Sequence, residues 1–183
     1  MQRRELLRAV AGLATLPFIP RTAEALAAFG TRVHQDATRA PVDFRTLTPA
    51  QQVLVSQLCD HILPATDTPG ALDVRVPEFI DLLLTEWYAD DDRVTFLAGL
   101  DAIDARARSA GARSFAESGE EGMLAVMRAL DTEREAKDGA GATFGHLKSL
   151  TVFAYFTSER ITKEVLKTRL YFRTYDGNAA MPS

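Results

Sequence analysis

From Thr48 to Ser109 the apolar residues of this chain recur every three or four positions, the period of helices with one inward face. The first such stretch opens at Thr48-Pro49-Ala50-Gln51. Thr48 suits an N-cap, Pro49 suits the first helical position, and Gln51 can complete a capping box. Leu54, Leu58 and Ile62 make its buried stripe, and Pro64 stops it, because the residue before a proline avoids helical angles. The segment "PATDTPGALDVRV" then reads as a long structured connection. A second helix, "PEFIDLLLTEWY", has Pro77 at its first position. Phe79, Leu83 and Trp87 line one stripe, with Ile80, Leu84 and Tyr88 beside it. So broad an apolar face exceeds what one neighbour covers, so this helix is either the centre of a bundle or shared with a partner.

The third helix spans "DDDRVTFLAGLDAIDARARSAG". Asp90, Asp91 and Asp92 complement the positive end of its dipole, Arg106 and Arg108 the negative end, and Gly111 is placed to terminate it. Phe96, Leu100, Ile103 and Ala107 form its inward stripe. Ser118-Gly119-Glu120-Glu121 predicts a capping box for a fourth helix, with Met123, Val126, Met127 and Leu130 inward. "TEREAKDGAGAT" reads as a polar loop. "FGHLKSLTVFAYFT" is the fifth helix and the most apolar stretch after the N-terminal segment, and Ser158 can cap a short sixth, "ERITKEVLK". The remainder, "TRLYFRTYDGNAAMPS", reads as an irregular tail packed on a surface, with a turn at Asp176-Gly177. No stretch alternates with period two, and no repeat is visible. The expected fold is all-α: a single irregular bundle of five to six helices over residues 47–183, with an N-terminal signal segment and an extended C-terminal tail.

The first residues, "MQRRELLRAVAGLATLPFIP", follow a different pattern. Arg3, Arg4 and Arg8 form a charged start, and the apolar run from Leu6 to Ile19 is too short for a membrane span. Ala25-Leu26-Ala27 is an A-x-A sequence of the kind signal peptidase cuts. The order Arg3-Arg4-Glu5-Leu6-Leu7-Arg8 looks like a twin-arginine export signal, although Gln2 and Leu6 depart from the usual residues. The competing reading is an amphipathic helix packed on the domain. Export by this route implies a periplasmic protein, folded before transport, that holds a cofactor or travels with a partner that does. Residues 1–27 form the signal segment with cleavage near Ala25 and Ala27. Residues 28–46 form a linker or arm, or a disordered mature N-terminus. Removing the signal takes away a net charge of +2 and leaves the mature chain at about −6.

Composition narrows the chemistry. At 183 residues the chain suits one domain, and a net charge of −4 gives no basic field for nucleic acid. A lone cysteine, Cys59, excludes an internal disulfide framework or a multi-cysteine metal cluster. There is no phosphate-binding glycine motif, no H-E-x-x-H, no C-x-x-C-H and no G-x-S-x-G. In Cys59-Asp60-His61, adjacent helical residues diverge by about 100°, so the residues do not converge on one ligand. They read as a buried thiol and a histidine facing the helix end. Asp101 and Asp104 share a face as i and i+3, and His146 stands beside an apolar run. The surplus is aromatic: Trp87 and Tyr88, then Phe153, Tyr155 and Phe156, then Tyr171, Phe172 and Tyr175. Such residues serve cores and interfaces alike, and the sequence leaves both open for Phe153 and Phe156.

"LTPAQQVLVSQLCDHILPATDTPGALDVRVPEFIDLLLTEWY", "FLAGLDAIDARA" and "YFTSE" together resemble the gluconate 2-dehydrogenase subunit 3 family. "ILPATDTPGA" is the most specific piece, and the likeness runs from about Leu47 to Tyr175. The resemblance implies an accessory small subunit that does no chemistry, with no cofactor and no metal of its own. It accompanies a large FAD-containing flavoprotein of the glucose-methanol-choline (GMC) oxidoreductase type that oxidises a sugar or sugar acid. Electrons in such complexes often pass to a c-type cytochrome, with its haem c, in a third subunit. The small subunit supplies the twin-arginine address through Arg3, Arg4, Leu6, Leu7 and Arg8. "YDGN" stands where family tails often read "YDGC", so no role of that cysteine carries over. The candidate partner surface combines Pro64, Thr66, Asp67, Pro69 and Gly70 with Trp87, Tyr88 and the motif Tyr155, Phe156, Thr157, Ser158 and Glu159. Tyr171 and Tyr175 of the tail complete it. Two other classes compete: a free-standing helical enzyme with a metal at Asp101, Asp104 and His146, and a periplasmic module binding a small ligand in its core.

Overall fold

A computed structural model describes residues 44–167; the export signal, its cleavage region, most of the arm, and Tyr171 and Tyr175 lie outside the described residues. Among the described residues there are five α-helices, a short 3₁₀ turn and a closing π-helical turn, with no strand. The helices are α1 (Pro49–Ile62), α2 (Val76–Glu86), α3 (Asp90–Ser109), α4 (Gly119–Thr132) and α5 (Gly139–Thr157). The 3₁₀ turn is Leu72–Val74 and the π turn is Ile161–Val165. The all-α expectation holds. None of these helices is long and apolar enough to cross a membrane.

Helix α1 forms as its sequence dictates. Thr48 accepts from the backbone N–H of Gln51, the Gln51 side chain accepts from the N–H of Thr48 at 3.1 Å, and Pro49 occupies the first turn. Helix α3 ends in a Schellman motif: Gly111 has φ +98°, its N–H donates to Arg108 O, and that of Ala112 donates to Ala107 O. The inward stripe of α3 is fully or almost fully buried.

Two boundaries differ from expectation. Ser118 does not cap α4: its backbone is helical and its hydroxyl donates back to Ser114 O at 3.0 Å, so the capping box is not built. Helix α5 begins at Gly139, five residues before the expected Phe144, and absorbs all of "GAGAT". Packing explains this. A Cβ on Gly141 would stand 2.6 Å from Glu133 O, and the Thr143 side chain occupies the place a Cβ on Gly99 of α3 would need. Glycines that weaken an isolated helix here let α5 approach its neighbours, and the contact outweighs the propensity.

The hub is α5, which packs on α1, α2, α3, α4 and the π turn. That position accounts for its apolar composition. Helix α2 was expected to be central or shared; most of its broad face is covered within the chain, with Ile80, Leu83 and Leu84 fully or almost fully buried. Only Phe79 and Trp87 of that face stay half-buried. Helices α2 and α5 run antiparallel: Phe79 meets Phe153 at one end (ring centroids 6.2 Å) and Tyr88 meets His146 at the other (5.9 Å).

Candidate partner interface

The loop between α1 and α2 is held by its own backbone and by α5. Ala71 N–H donates to Leu63 O at 2.8 Å, closing the loop at its base. Gly70 N–H donates to Asp73 Oδ2 at 2.8 Å, and a Cβ on Gly70 would stand 2.5 Å from Ala65 N, so only glycine fits this crossing. Pro64, Thr66 and Asp67 are exposed at the rim, and Pro69 is half-buried. The Tyr155 hydroxyl reaches 86 residues back along the sequence to donate to Pro69 O at 2.7 Å. The two most distinctive sequence segments, "ILPATDTPGA" and "YFTSE", are therefore joined by one hydrogen bond.

Around that bond the motif residues divide by exposure. Tyr155 is buried and its ring meets Phe156 edge-on at 5.2 Å, while Phe156 is half-buried and Thr157 and Glu159 are exposed. Ser158 ends α5: its hydroxyl donates to Tyr155 O at 2.7 Å and accepts from Ile161 N–H. Glu159 pairs with Lys163. Exposed Leu72 extends the apolar edge on the α2 side of the loop.

The other aromatic pair lies elsewhere. Helix α2 stops at Glu86, earlier than the sequence suggested, and Trp87 caps it. The turn carries Tyr88 inward against Phe96 and His146. Nine residues of α5 separate His146 from Tyr155, about 14 Å of helix. The expected residues thus fall in two clusters toward opposite ends of α2, one against the middle of α5 and one against its C-terminal end. Tyr88 and Tyr155, expected at the interface, turn their rings into the chain's own core, at 7% and 6% exposure. Of the other expected residues, Pro64, Thr66, Asp67, Thr157 and Glu159 are exposed, Pro69, Trp87, Phe156 and Ser158 are half-buried, and Gly70 is buried.

The groups that could carry chemistry are engaged in structure. Cys59 is fully buried against Thr151 Oγ1 at 3.4 Å, and burial pushes its thiol up to about 12, so it stays an inert thiol. His61 Nδ1 faces Gln57 O at 2.8 Å; a carbonyl only accepts, so Nδ1 carries the proton. Burial lowers His146 to about 4 and raises Tyr88, so both rings are neutral where Tyr88 Oη and His146 Nε2 share a hydrogen bond at 3.1 Å.

Asp101, Asp104 and His146 do not come together as a group of three that could hold a metal ion among the described residues. Asp101 accepts from Gln51 Nε2 at 2.9 Å, and Asp104 accepts from Phe115 N–H at 2.7 Å while pairing with Arg108. His146 is bound to Tyr88, and among the described residues no three His, Cys, Asp or Glu side chains converge. Helical spacing put the two acids on one face, but each was already claimed by a neighbouring segment.

Sequence reasoning missed Asp81. It is fully buried on α2, and its carboxylate accepts from three consecutive backbone N–H groups: Arg45 (2.8 Å), Thr46 (3.0 Å) and Leu47 (2.7 Å). An aspartate in the middle of "FIDLLL" was the available signal, since a charge on an apolar face needs several partners.

No curated protein and no solved structure matches the chain. A family model described as gluconate 2-dehydrogenase subunit 3 matches residues 49–172, which takes in all five helices and the loop. This is a family of dehydrogenase-complex subunits. The chain belongs to the gluconate 2-dehydrogenase subunit 3 family.

Proposed function

We propose that this chain is the non-catalytic small subunit of a periplasmic, FAD-dependent sugar or sugar-acid dehydrogenase complex. It supplies the twin-arginine export signal and stabilises the large GMC-type flavoprotein, which carries FAD and the chemistry. No residue of this chain is assigned to FAD. The observation that carries the reading is the match to the subunit family across residues 49–172. Two features support it. The potentially reactive side chains serve the fold, and the loop joined to α5 by Tyr155 presents a preorganised rim, which lowers the ordering cost of binding another protein.

Co-expression tests it. Producing the flavoprotein with this chain is expected to yield soluble, exported dehydrogenase, and producing it alone is expected to leave it unexported and poorly soluble. Replacing both Arg3 and Arg4 by lysine should retain the complex in the cytoplasm. Equal export, solubility and activity of the flavoprotein without this chain would overturn the proposal.

A further inference from the structure

We draw no further inference here: the strongest candidate, the exposed acidic patch of Asp67 and Asp73 on the connection between α1 and α2, adjoins the rim already described, and nothing in the structure shows what covers it.

Discussion

His146 shows how a single residue is set by its neighbours. Stacked on Tyr88 and edge-on to Phe96, it is held neutral by burial, with its pKa near 4 instead of the usual 6.5. The consequence for stability has a definite sign. Above about pH 6.5 the ring is neutral in folded and unfolded chains alike, so stability is fully present. Between about 6.5 and 4 only the unfolded chain takes up the proton, and stability falls as pH drops. Below about 4 the loss levels off, at about 3 kcal/mol for a shift of this size. Urea unfolding at pH 7 and pH 4.5 should show a smaller acid loss in His146→Phe than in the parent chain. An equal loss in both would mean that other groups carry the acid sensitivity. The neutral histidine was legible only as a residue beside an apolar run. Its partners come from α2 and α3, and nothing in the local sequence names them.

At the scale of elements, two start signals of similar composition gave different outcomes. Thr48 and Ser118 each precede a glutamine or glutamate three residues on. Thr48 has extended backbone angles and makes the cap; Ser118 is already helical and bonds backwards to Ser114. Thr48→Ala is therefore expected to cost about 1 kcal/mol, and Ser118→Ala less than about 0.5 kcal/mol, by chemical denaturation. Equal costs would contradict the assignment of a working cap to Thr48 alone. The difference lies in how the chain arrives. Pro49 and an extended approach favour the cap at α1, whereas a turn from Ser114 to Ser118 delivers Ser118 in the wrong conformation. The glycine-rich start of α5 makes the complementary point. Read locally it is a loop, and only the close approach to Glu133 and to α3 turns it into helix.

For the whole molecule, the informative contacts are those that tie distant segments. The bond from Tyr155 to Pro69 joins the loop to the hub helix. Tyr155→Phe keeps the ring and its packing and removes only that bond, so it should cost about 1 kcal/mol of stability. If the loop is the flavoprotein's docking rim, the same variant should weaken complex formation more than a control at exposed Val94 on α3. Titration of the flavoprotein with both variants measures this, and equal affinities would move the docking surface away from the loop. The described surface is otherwise modest in apolar content, with Val53, Leu72, Val94 and Leu166 as its exposed large hydrophobic residues. Of the aromatic surplus, among the described residues, Tyr88 and Tyr155 are buried and Trp87, Phe153 and Phe156 are half-buried against the core.

The sequence by itself determined the helical class, the inward stripes of α1, α3 and α4, the cap at Thr48 and the stop at Gly111. These depend on interactions within a few residues, where periodicity and backbone preference act. The family, too, was legible, because "ILPATDTPGA" and "YFTSE" are contiguous. Only the tertiary structure decided that those two segments meet, that Tyr88 and Tyr155 face inward, that Asp101 and Asp104 serve separate neighbours, and that Asp81 binds the arm. Nearly all of these are settled by partners 34 to 86 residues away in the sequence, and Asp104 by Phe115 beyond the end of its own helix. A side chain's burial and bonding follow from the packing of several elements at once, which no local pattern encodes.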